Sequence, residues 1–116
     1  MRNPVEISLR GIPASAALER YVSEQARKLD GICDQIRNCL VVAEALQRDR
    51  PRDAQFAVRL IITLPGTEVV VNREHDGDVY IALRDAFVAA GLQLQDHMRR
   101  RSTGQSTRNN PADPRR

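Results

Sequence analysis

An α+β fold, a four-stranded sheet with two helices packed on one face, follows from three features of the sequence. Short segments alternate apolar and polar residues at the period of strands, and two longer segments repeat apolar residues at helical spacing. Their order along the chain is strand, helix, three strands, helix (β-α-β-β-β-α). Two amphipathic helices each need an apolar surface to cover, and a single sheet face serves both.

The first strand is read from Val5, Ile7 and Leu9, which alternate with Glu6, Ser8 and Arg10. Gly11 and Pro13 end it. Ser15 is placed to cap a helix running to about Gly31, although Leu18 rather than a Glu stands at the third position, so the capping box is incomplete. Leu18, Val22, Ala26, Leu29 and Ile32 form the inner stripe of this helix, with Tyr21 packing at its flank. On the outer side stand Arg20, Glu24, Arg27 and Lys28. The i,i+4 spacing of Arg20 with Glu24 and of Glu24 with Lys28 permits mutual pairing; the same cations can instead meet phosphates.

From Arg37 to Leu46 the chain is rich in β-branched and apolar residues and is expected to form a strand buried on much of both faces. QRDRPRDA is a polar connection with a breaker in it. A third strand is expected from Ala54 to Leu64, with Phe56, Val58, Leu60, Ile62 and Leu64 on one face and Arg59 and Thr63 on the other. Pro65 and Gly66 supply a tight turn into a fourth strand running from Glu68 to about Arg73, and the three strands make an antiparallel meander.

The closing helix spans Asp76 to Arg101, capped by Asp76 or Asp78. Val79, Leu83, Ala86, Phe87, Ala90 and Leu94 make its buried stripe, and Arg99, Arg100 and Arg101 fall in its last turn, where cations suit the negative end of the helix dipole. Ile81, Val88 and Leu92 lie opposite that stripe. They are either scattered surface apolars or a protein-interface patch, through which a homodimer is one possible assembly.

At 116 residues the chain divides into one domain, residues 1–101, and a basic tail, 102–116, expected to be disordered for lack of apolar residues. Cys33 and Cys39 lack CxxC spacing and a His or Asp at ligand distance in the sequence, so burial as reduced thiols in a cytosolic protein is the expectation. No apolar run approaches the roughly 20 residues of a membrane span. The formal charge is +3, yet from Arg99 onward six arginines face only Asp113, a local +5 that leaves Met1–Met98 at −2. Such asymmetry fits a polyanion-seeking terminus or a merely solubilising one.

Catalysis needs convergent acids, bases or nucleophiles, and few are offered. His75 and His97 stand at opposite ends of the closing helix, about 33 Å apart at the helical rise, and cannot share a substrate. Capping explains Asp76 and Asp78 beside His75 more simply than a metal corner does. A non-enzyme without cofactor or metal is expected. Trp is absent, so a stacking platform for single-stranded nucleic acid is not expected, whereas backbone contacts to folded RNA remain open.

The segments VEISLRGIPASAALERYV, RKLD followed by a strand, ITLPG and above all DVYIAL resemble the ribosome hibernation-promoting factor and protein Y family of ribosome-associated inhibitors, over residues 4 to about 100. Asp78, Tyr80, Ala82 and Leu83 match its D-x-Y-x-A-hydrophobic signature. The resemblance implies a domain similar to double-stranded-RNA-binding folds that lodges on the small ribosomal subunit near the decoding region. It implies contact with ribosomal RNA through basic helix faces and inhibition of translation in stress or stationary phase. The chain resembles the short type of the family, and its tail is similar to that of protein Y. The RNA-binding residues carried over are Arg20, Arg27, Lys28, Arg84, His97, Arg99, Arg100 and Arg101. Family members usually place Lys or Arg where this chain has Gln25, Leu92, Gln95 and Asp96, and an acidic residue where it has Arg84. The binding face is thinned, so either the terminal arginines compensate or the domain has turned to a protein partner.

Overall fold

A strand joined to its neighbour through a helix can pair with it in parallel, whereas strands joined by tight turns pair antiparallel. Both rules operate in this chain. The computed structural model describes residues 5–46 and 55–107, with the backbone alone for Asp76 and for 101–107. The elements are β1 (Val5–Arg10), α1 (Ala16–Ile32), β2 (Asn38–Leu46), β3 (Gln55–Leu64), β4 (Thr67–Asp76) and α2 (Val79–Thr107). The sheet order is β1-β2-β3-β4, with β1 and β2 parallel and the other two pairs antiparallel.

Register decides which residues share a face, since directly paired residues point the same way. One cross-sheet row runs Ile7, Val41, Leu60, Val71 and the next runs Val5, Cys39, Ile62, Val69. These rows lie under the helices. Leu18, Val22, Ala26 and Leu29 of α1 and Ala82, Leu83, Ala86, Phe87, Ala90 and Leu94 of α2 close the core over them. Tyr21 is half-buried at its border, as the helical spacing led one to expect, whereas Val79, expected in the buried stripe, is also only half-buried because it stands at the first residue of α2, at the edge of the core.

The intervening rows face away from the helices. Glu6, Leu40, Ile61 and Val70 form one, Ser8, Val42, Arg59 and Asn72 the next, and Arg10, Glu44, Ala57 and Glu74 a third. This corrects the reading of β2 as buried on both sides: Cys39, Val41 and Ala43 are buried, whereas Leu40 and Val42 are only half-buried. Among the described residues no helix covers that side, and neighbouring strand side chains alone shield them.

Local chemistry sets the boundaries in most places. The Ser15 hydroxyl oxygen accepts from the Leu18 N–H at 3.1 Å, making Ser15 the N-cap of α1. Gly66 takes φ +77° in the turn after Pro65, a backbone region that side chains with a Cβ resist. Asp78, not Asp76, starts α2, its carboxylate accepting from the Tyr80 N–H at 2.8 Å and its carbonyl from the Ala82 N–H at 3.2 Å. Asp76 instead closes β4, which outruns the expected end at Arg73 because its ladder with β3 continues to the pair Gln55–Asp76. Side-chain alternation stops at Val71, but backbone pairing does not.

Helix α2 also outruns its expected end, reaching Thr107. Adding residues to an existing helix costs little once it is nucleated, so the ladder continues past the buried stripe. Arg99, Arg100 and Arg101 therefore lie ahead of the last turn, which holds no basic residue among those described. The dipole benefit expected for them does not apply, since it falls off within that turn. Of the expected tail, 108–116 lies outside the described residues.

Both cysteines are free and fully buried. Burial pushes the Cys39 thiol up from 9.0 to about 11. The folded state holds that proton where the unfolded chain has lost it, so stability intact below pH 9 declines as the pH rises toward 11. Urea titrations across this range should show a shallower decline for Cys39→Ala than for the parent chain; equal slopes would refute the assignment.

Candidate nucleic-acid interface

Two contacts fix how the helices lie. The Tyr21 and Tyr80 rings, each near the start of its helix, meet edge to face with centroids 5.2 Å apart at 79°. At the other end of α1, the Ile32 side chain approaches Gly91 so closely that a Cβ there would sit 3.3 Å from Ile32 Cδ1. The helices thus run in the same direction, and α2, about 43 Å long against about 26 Å for α1 at the helical rise, extends well past its neighbour.

This arrangement puts the outward cations of both helices on one layer. Arg20, Arg27 and Lys28 are exposed on α1, and among the described residues none of them has an ion-pair partner. The Arg20–Glu24 and Glu24–Lys28 pairings permitted by spacing do not form. Arg84 is exposed near the start of α2, close enough to Tyr21 for its charge to be felt there. Burial pushes the Tyr21 phenol up from its ordinary value, Arg84 opposes the shift, and Asp78 adds to it. Arg84 reaches Asp85 only at 3.7 Å, in a largely solvent-exposed contact of the kind that contributes little.

The distal part of the set is weaker than the sequence promised. Asp96 holds Arg100 at 2.6 Å and Arg99 at 3.8 Å, so a carboxylate partly neutralises the two cations placed to compensate for a thinned face. His97 Nε2 is buried with no hydrogen-bond partner among the described residues, and through that nitrogen the ring offers phosphate no donor. The Arg101 side chain lies outside the described residues. The structure thus joins Arg20, Arg27, Lys28 and Arg84 on one layer, with Arg99 and Arg100 on the overhang.

The apolar patch is also resolved. Val88 is 58% exposed and Leu92 61%, whereas Ile81 is half-buried. Val88 and Leu92 border a shallow groove of about 320 Å³ between the helices, floored by Leu29, Ile32, Phe87 and Gly91 and edged by Lys28 and Gln95. Sequence reasoning missed this groove and the Tyr21–Tyr80 contact because both need α1 and α2 side by side. It also passed over a mixed-charge cluster of Arg10, Glu44, Arg59 and Glu74 on the open sheet face; strand parity marks each of them as outward, and the register of the four strands brings them together.

Among the described residues no helix is long and apolar enough to cross a membrane, and no group of His, Cys, Asp and Glu is gathered to hold a metal ion. The sequence profile of the Sigma 54 modulation protein / S30EA ribosomal protein family matches residues 5–102. The chain belongs to that family. The match spans every element up to the overhang of α2, so the S30EA fold accounts for the sheet and both helices together. Among solved structures, this S30EA domain is similar to a ribosomal subunit interface protein from Coxiella burnetii, with TM-score 0.67 and 18% identity over 81% of this chain and 96% of that one. It is also similar to the N-terminal domain of Protein Y from Thermus thermophilus, with TM-score 0.65 and 24% identity over 84% and 99%. At such identities the likeness is one of fold. No curated protein matches the sequence.

Proposed function

We propose that this S30EA-family domain is a ribosome hibernation factor that binds the small ribosomal subunit, contacts ribosomal RNA near the decoding region and silences translation under stress or in stationary phase. It acts in the cytoplasm by occupancy, without catalysis or a cofactor. The observation that supports this most directly is the set of cations Arg20, Arg27 and Lys28 on the exposed side of α1, without an ion-pair partner among the described residues and sharing a layer with Arg84. Cations without carboxylate partners are free to replace the counterions condensed on RNA phosphates. Arg99 and Arg100 extend the contact along α2, and Arg101 follows them in the sequence. Family membership and the subunit-interface name of a structural neighbour point the same way.

Contacts of this kind position a protein on folded RNA without reading its sequence. Co-sedimentation of the chain with purified small subunits at low and high salt tests the proposal. Binding should be retained at low salt and fall steeply as salt rises, because each neutralised phosphate releases counterions. Failure to co-sediment at low salt would overturn it.

A further inference from the structure

The outward ridge of α2 is complementary to itself. Residues four apart on a helix form a continuous ridge, and here the ridge reads Arg84, Val88, Leu92, Asp96: a cation, two apolar side chains and an anion. It lies opposite Ala90, which is fully buried in the core, so the ridge points outward from the helix layer. Two such ridges laid in the same direction would set Arg84 against Arg84 and Asp96 against Asp96. Laid in opposite directions about a two-fold axis, they set Val88 against Leu92 and Arg84 against Asp96, twice over.

We propose that a second copy of this chain docks on this face, forming a two-fold dimer through antiparallel α2 helices. The most common class of helix packing sets i,i+4 ridges into each other's grooves at a crossing of about 50°, and that crossing aligns one ridge with its antiparallel copy. The receiving groove is present beside the ridge, floored by Ile32, Phe87 and Gly91, with the Ile32 side chain closing the space over the glycine and giving the floor an apolar surface. An isologous contact requires knob and hole on the same patch, and this patch holds both. The apolar pair supplies the buried area, while the end charges select direction. Asp96 also holds Arg99 and Arg100 on its own helix, so the partner's Arg84 has to displace the longer of these contacts, that of Arg99 at 3.8 Å, to reach the carboxylate. The dimer would cover Arg84, and the same helix layer would therefore be shared between a second copy and RNA.

A patch this small gives weak association, so the measurement is sedimentation equilibrium of the full chain, alone, from low micromolar to about 0.5 mM. The parent chain should move from monomer toward dimer mass, and Leu92→Asp should weaken dimerisation at least ~10-fold. Arg84→Asp and Asp96→Arg should each weaken it, and the double variant should recover at least the affinity lost by the worse single change. Circular dichroism confirms folding, which these exposed substitutions are placed to preserve. A monomer mass at every concentration would overturn the proposal, as would a double variant weaker than both singles. No ribosome is present in this experiment, so its failure leaves small-subunit binding standing, and loss of subunit binding leaves the dimer standing.

Discussion

The triple variant Arg20→Gln, Arg27→Gln, Lys28→Gln is expected to bind small ribosomal subunits on the order of 100-fold more weakly than the parent chain at moderate salt, from the usual strength of charged hydrogen bonds. The slope of log affinity against log salt should fall in magnitude by about three, one for each phosphate contact removed. The three side chains are exposed and have no ion-pair partner among the described residues, so their replacement breaks no ion pair observed in the fold. Surface changes of this kind alter stability by about 0.5 kcal/mol or less. A variant that binds with unchanged affinity and an unchanged slope would show that α1 does not face RNA. Arg99 and Arg100, gathered by Asp96, should have smaller individual effects than the α1 cations.

The second large effect concerns the core. Leu83 and Leu92 lie nine residues apart on α2, one fully buried and the other 61% exposed. Leu83→Ala should cost about 2–5 kcal/mol, because it removes apolar contacts and leaves a cavity over the sheet. Against the roughly 5–15 kcal/mol total stability of a domain this size, that is a large share. Leu92→Ala, compared at low micromolar concentration, should change stability by no more than about 0.5 kcal/mol. Urea titrations distinguish the two: the midpoint should fall for Leu83→Ala with little change in slope, and stay in place for Leu92→Ala. Equal midpoints for both variants would contradict the orientation of α2.

The same contrast marks what was legible in the residues. Leu83 and Leu92 are chemically identical, yet helical spacing separates them, since Leu83 falls in phase with Ala86, Phe87, Ala90 and Leu94. In the same way, alternation placed Val58, Leu60, Ile62 and Leu64 on one side of β3, and Pro65–Gly66 located the hairpin. Ser15 as cap followed from its chemistry alone. Element ends were less legible. Where β4 and α2 stop depends on backbone ladders, which carry no side-chain signature: β4 runs on to Asp76 because β3 is there to pair with it, and α2 runs on to Thr107 past its last buried residue.

For the candidate site, the sequence determined which residues carry positive charge and which helix faces they occupy, because a fixed angular repeat converts position into direction. Family membership was legible as well, from the order and spacing of short motifs. Which of the locally permitted ion pairs form was settled in the folded helices: spacing allowed Arg20, Glu24 and Lys28 to pair, and among the described residues those cations have no ion-pair partner, whereas the i,i+3 and i,i+4 spacing of Asp96 with Arg99 and Arg100 allowed pairing that does form. Tertiary structure alone decided the Tyr21–Tyr80 contact and the groove beside Leu92, which arise only when α1 and α2 lie side by side in one direction. The physical reason is range. Periodicity, capping, turn chemistry and pairing along one helix act within a few residues of the chain, whereas ring contacts, grooves and shared surfaces depend on distances between segments that only the packed sheet and helices bring together.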